Sequence, residues 1–196
     1  PDPPIASIGY QASIVITPQQ EADMDIKATL NNLLIPYTSN YAGTLLPGIR
    51  EYTVTPGEKT TTISGKGKAG LKQEENYYFF YLPVCYKGIT GKSYAYYNTS
   101  RSKNLYLPAS VDENYSYDIQ LPENLTLCTP IQEKKIDNPI GSFKITLTSE
   151  GSSLHIELAL QIKKQLITPA EYPAFRSLIT EWTDRTRKPI LFKTVQ

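Results

Sequence analysis

Histidine and cysteine, the residues on which much protein chemistry turns, are scarce in this chain: of 196 residues, one is histidine, His155, and two are cysteine, Cys85 and Cys128. A single imidazole excludes a metal centre built on several histidines and leaves no second choice of histidine base. An excess of charge is also missing. Twenty Lys and Arg against 19 Asp and Glu leave a net charge of +1. The longest basic runs are only Lys134-Lys135 and Lys163-Lys164, which is no footprint for nucleic acid or an anionic membrane. No apolar run approaches the roughly 20 residues that span a bilayer. The start, "PDPPIASIGY", has neither the basic opening nor the apolar stretch of a signal peptide. A Pro-rich start without Met is expected of a piece cut from a longer protein.

What remains is 40% hydrophobic, with 15 Tyr, 15 Pro and 11 Gly, the composition of an ordered chain with many turns. Alternation dominates it. In "DMDIKATL" Met24, Ile26, Ala28 and Leu30 share one side, and in "NYSYDIQLP" Tyr115, Tyr117, Ile119 and Leu121 do the same. That is the period of half-buried antiparallel strands. "GSFKITLTSEGSSLHIELALQIKKQL" reads as a long hairpin with "SEGSS" as its loop. Further strands are read near Ser7–Thr17, Ile49–Thr55, Thr60–Ser64, Tyr77–Leu82, Ser93–Asn98, Asn104–Leu107 and Leu125–Cys128. The expected fold is all-β, mainly an antiparallel β-sandwich, as a single domain over 1–196. A division into 1–72 and 73–196 is the alternative.

One segment departs from the strand period. In "TPAEYPAFRSLITEWTDRTRKPILFK" Thr168 and Glu171 have capping-box spacing, and Ile167 with Tyr172 form a candidate hydrophobic staple. Tyr172, Phe175, Leu178, Ile179 and Trp182 fall on one helical face. Pro169 suits a first helical position, whereas Pro173 removes a donor, so the regular helix is expected from Pro173. A lone short helix is marginal in water; burying five large apolar side chains on a sheet is what holds it. Pro189 stops it, and Ile190-Leu191-Phe192 forms a short final strand.

The candidate chemistry is thin. "GKGKAG", Gly65 to Gly70, matches G-x-G-x-x-G but is not followed by a helix, so it reads as a hairpin loop rather than a dinucleotide site. His155 lies on the polar side of a strand, and neither cysteine has the strained turn or helix N-terminus that activates a thiol. The close carboxylate pairs, Asp23 with Asp25, Glu74 with Glu75 and Asp112 with Glu113, read as solvated faces or at best a weak calcium site. No catalytic residue, metal ligand or cofactor is assigned. Six tyrosines, Tyr77, Tyr78, Tyr81, Tyr94, Tyr96 and Tyr97, crowd into two strands, where packing is the first reading. Tyr94, Tyr96 and Tyr97 are the candidates for stacking on a glycan or peptide. Cys85 and Cys128 are either two buried thiols or a bridge, which would add about 4 kcal/mol on the chain-entropy model.

Several stretches together resemble a known family: "YYFFYLP", "TSRSKNLYLPASVDENYSYDIQLPENLTL", the long hairpin, and the Tyr…Phe-Arg helix with its short strand. They resemble the β-rich C-terminal region that follows the transglutaminase-like core in large exported proteins of Gram-negative bacteria, best from about Glu74 to Lys193. The resemblance implies that helix and last strand close an accessory module and that the catalytic Cys, His and Asp belong to the upstream core. None of those motifs is matched here. It implies the upstream core of the same chain as partner and a periplasmic or cell-surface location, a compartment that permits a Cys85–Cys128 bridge.

Overall fold

In the computed structural model the described residues are 4–31, 46, 48–85, 89 and 99–195. The first four strands are β1 (Ile5–Ile16), β2 (Glu21–Asn31), β3 (Ile49–Pro56) and β4 (Thr60–Gly70), followed by β5 (Lys72–Glu74) and β6 (Tyr77–Phe80). After them come β7 (Leu105–Tyr106), β8 (Ser110–Gln120), β9 (Leu125–Leu127) and β10 (Gln132–Asn138). The chain continues through β11 (Gly141–Glu150), β12 (Ser153–Ile162), β13 (Leu166–Ile167), helix α1 (Tyr172–Arg187) and β14 (Ile190–Thr194). The expected strand Ser93–Asn98 lies outside the described residues. The edge strand β10, "QEKKIDN", escaped the sequence reading because charge covers it and only Ile136 packs toward the core.

Eight strands form one sheet in the order β10-β11-β12-β8-β1-β2-β4-β3. Its pairs are antiparallel except for β1 and β8, which run parallel from Ile5 opposite Ser110 to Val15 opposite Gln120. A four-stranded sheet, β5-β6-β14-β9, and the two-stranded β13-β7 complete the architecture. The sheets pack as in a sandwich, so the all-β fold with one C-terminal helix and a final strand is the observed one.

Register sorts the eight-stranded sheet into two faces. Across the strands, Leu158, Tyr115, Tyr10, Ala28 and Ile63 stand opposite one another, and all are buried. Next to them run Ile156, Tyr117, Ala12 and Ile26, equally buried. Every second residue points the other way, giving an outer face of Gln11, Ser116, Lys27 and their like. A one-residue slip would exchange the two sets, so the pattern fixes the register.

The Gly65–Gly70 stretch is not the expected loop. It is the second half of β4, paired with both β2 and β3. Gly65 and Gly67 fall on the inner face, where β3 bulges between Ile49 and Glu51 and its backbone comes very close. A Cβ on Gly65 would stand 2.3 Å from the Glu51 carbonyl oxygen, and one on Gly67 2.2 Å from that of Gly48. The stretch is a strand with its inner side chains reduced to two glycines and Ala69 and its lysines outward. The long hairpin also turns more tightly than expected: Glu150 pairs with Ser153, and Gly151, at φ 59°, supplies the left-handed residue of a two-residue loop.

Helix α1 lies on the inner face over β11 and β12. All five apolar residues read from the spacing are buried. The Trp182 ring sits 5.7 Å from Tyr115 and 6.4 Å from Phe143, centroid to centroid. The capping box forms one turn before the helix. Thr168 N–H and Oγ1–H both donate to Glu171 Oε2, each at 3.1 Å, while the helix begins at Tyr172 with Pro173 in its first turn. There a missing N–H leaves no bond unmade, which is why the helix starts one residue earlier than expected.

Candidate functional site

The chemistry-bearing residues divide between the two faces. On the outer face His155 and Asp118 are cross-strand partners. His155 Nδ1 lies 2.7 Å from Asp118 Oδ1 and Nε2 lies 3.2 Å from Glu157 Oε1. The bond to Asp118, then that to Glu157, hold its pKa above the ordinary 6.5. A catalytic dyad needs one ring nitrogen facing a nucleophile; here both face carboxylates. Cys85 is completely buried, and Cys128 follows β9, its N–H donating to the Leu191 carbonyl at 2.8 Å. The cysteines are not joined as a disulfide.

One carboxylate pair is divided in the same way, whereas Asp23 and Asp25 share the outer face and Glu74 and Glu75 are both exposed. Asp112 accepts a bond from Asn114 Nδ2 at 2.9 Å on the outer side. Glu113, its neighbour, turns inward to 2% exposure and accepts the Ile89 N–H. Asp23 is paired with Lys68 at 3.3 Å. Among the described residues no group of three or more His, Cys, Asp and Glu is placed to hold a metal ion, and no helix is long and apolar enough to cross a membrane.

Of the six crowded tyrosines, Tyr78 is buried while Tyr77 and Tyr81 are exposed, the Lys72 ammonium standing 5.2 Å from the Tyr81 ring centroid. Tyr94, Tyr96 and Tyr97 lie outside the described residues. The tyrosines of β1 and β8 make a different cluster, beneath the sheet. Tyr10 and Tyr115 have ring centroids 4.9 Å apart, with Tyr117 beside them. Burial, ahead of any charge, pushes all three phenols well above the ordinary range. Tyr117 Oη donates to the Pro83 carbonyl at 2.7 Å. Together with Glu113 it fastens the chain after β6 to the sheet, a role invisible in sequence because the partners are main-chain groups far along the chain.

The distinctive sequence stretches meet as packing joints. Arg101 of "TSRSK" stands 5.6 Å from the Tyr172 ring of the helix. Phe192 of "ILFK" pairs with Tyr78 of "YYFFYLP", and Asn138 Nδ2 donates to the Ala174 carbonyl at 3.1 Å. These contacts hold a helix and a small sheet onto a larger one. The other structural feature of note is a shallow cup of about 370 Å³ on the outer face, lined by Gly9, Gln11, Asn114 and Ala159 among others.

Fold and joints define a β-sandwich module closed by a C-terminal helix and strand. Residues 76–192, more than half of the chain, match the family described as a Domain of Unknown Function with solved-structure structure (DUF3858), and the chain belongs to that family. It is also similar to a solved structure, "a putative protease from Parabacteroides distasonis ATCC 8503", at 30% identity and a TM-score of 0.54 over 62% of this chain. The match spans 24% of that protein, about a quarter of its length. No curated protein matches the chain.

Proposed function

We propose that this chain is a non-catalytic accessory module of a larger exported protein with a transglutaminase-like, cysteine-protease-like core. It acts on that core by shielding it, docking to it or positioning its substrate. The observation that carries the reading is the match to a quarter of a protease-like protein by a chain belonging to a family without assigned activity. The disposition of its own reactive groups supports it, since the one histidine is held between two carboxylates and one thiol is completely buried. In this reading the partner is the core of the same polypeptide, and the location is the periplasm or cell surface.

The test is to compare peptide hydrolysis by the intact protein, by the intact protein lacking residues 76–192, and by this chain alone. The expected result is activity in the first, reduced or misdirected activity in the second, and none in the third. Hydrolysis by the chain alone that disappears in His155→Ala would overturn the reading. Reading the coding frame upstream of Pro1 checks the context, where separated Cys, His and Asp motifs of a transglutaminase-like core are expected.

A further inference from the structure

Gly9 lies inside β1, in the middle of the large sheet, and differs from the glycines of that sheet that are packed against backbone; Gly70, the last residue of β4, is the other with open space. Gly65, Gly67 and Gly141 are required by backbone packed against them, since their Cβ atoms would lie 2.3, 2.2 and 1.8 Å from carbonyl oxygens. At Gly9 a Cβ would meet nothing nearer than the Thr29 carbonyl oxygen at 4.0 Å, and its φ is outside the left-handed region. Neither space nor backbone conformation calls for glycine there, and glycine weakens a strand. The remaining use of a strand glycine is to let something else come close.

What surrounds it is set by register. Gly9 faces Asn114 on β8, and Asn114 faces Ala159 on β12. Two small residues flank one amide in the middle of the outer face, and the surface sinks there into the cup of about 370 Å³. The adjacent row carries Gln11 and Ser116 side by side. The centre is therefore amide and hydroxyl, neutral and able both to donate and to accept. Its ends are basic. Lys144 on β11 and Lys27 on β2 line the cup four strands apart, about 19 Å between strand axes, and neither has a partner among the described residues. Glu157, the one acid in the lining, is already bonded to His155.

We propose that this cup binds an acidic oligosaccharide. The sugar hydroxyls bond Gln11, Asn114 and Ser116, and its carboxylates are held by Lys27 and Lys144. A peptide adding as a strand needs a free sheet edge, and β1, β8 and β12 are paired on both sides. A nucleic-acid strand needs aromatic platforms in a basic groove, and this outer face offers neither. The proposal is independent of the accessory-module reading.

The experiment is calorimetric titration of the 196-residue chain with a short oligogalacturonate, its fully methyl-esterified form and poly-glutamate, repeated on Gly9→Thr, Lys27→Gln and Lys144→Gln. Saturable binding is expected for the oligogalacturonate alone, weakened about twofold to fivefold by each lysine substitution, as for exposed charge pairs. Gly9→Thr is expected to weaken binding by about tenfold or more, one methyl-sized obstruction being ample for that, while its melting temperature holds or rises. No saturable binding, equal binding of poly-glutamate, or unchanged binding by Gly9→Thr overturns the proposal. A melting temperature lowered by Gly9→Thr overturns it too, because the glycine would then serve the fold.

Discussion

The two faces of the eight-stranded sheet are made by the same strands, residue by alternate residue, yet they tolerate change in opposite ways. The inner face is filled: Trp182, Phe143, Tyr10, Tyr115 and Tyr117 are nearly or fully inaccessible, and even its glycines are pressed by neighbouring backbone. The outer face holds paired charges, amides and a shallow cup, with room for side chains to grow. A substitution on the inner face is judged by whether it fits, and one on the outer face by what it removes from solvent contact. Stability is concentrated on one face and the freedom to recognise a ligand on the other.

The deepest blow to the inner face is Trp182→Ala, which empties the space between helix and sheet and is expected to lower stability by about 3–5 kcal/mol. Chemical denaturation measures it, and an unchanged midpoint would mean that the helix is not docked as described. Gly67→Ala is next, at about 1–3 kcal/mol, because an added methyl must displace backbone; Gly9→Thr is its outer-face counterpart, with the opposite sign.

A finer comparison lies within the tyrosine cluster. Tyr117→Phe leaves the half-buried Pro83 carbonyl without its donor and is expected to cost about 1 kcal/mol. Tyr10 Oη is buried with no bond partner among the described residues, so Tyr10→Phe removes an uncompensated hydroxyl and is expected to be neutral or slightly stabilising. Melting the two variants side by side tests this, and equal losses would contradict it.

The smallest effects are those of pH. The Lys164 ammonium, then the Thr168 N–H, lower the Glu171 carboxyl from its ordinary 4.5 to about 2. The folded pKa is depressed, so this contribution is present above pH 4.5 and is lost as pH falls from there through about 2. Melting temperature against pH in Glu171→Gln is expected to be flatter than wild type over that window. His155 has the reverse sign. Its raised pKa gives a contribution present below pH 6.5 and lost as pH rises through the folded value, which an NMR titration of its single imidazole would locate.

Much of this architecture was legible in the sequence, because period 2 and period 3.6 report burial directly. Met24 to Leu30, Tyr115 to Leu121 and the five helix residues each lie inside as the spacing required. Three things were not legible. The strand character of Gly65–Gly70 was hidden because two of its three inner positions are glycine and the third only Ala69, and a pattern of hydrophobicity cannot report a missing side chain. The role of Glu113 was hidden because its partner is the Ile89 main chain, 24 residues away. The outer-face cup was hidden because Gly9, Asn114 and Ala159 become neighbours only through pairing of three distant strands.

The parallel joint between β1 and β8 has a consequence for the order in which the molecule comes into being. Ile5 finds Ser110 and Val15 finds Gln120, so β1, once made, waits in the middle of the future sheet for a partner made more than a hundred residues later. Such distant pairing is slow, because loop-closure entropy is lost before any contact repays it. Until then the hairpin of β1 and β2 offers an unpaired edge to any other nascent chain. Joining β1 to β8 is thus the step expected to limit the folding rate, and the unfinished chain is the form most in need of a chaperone.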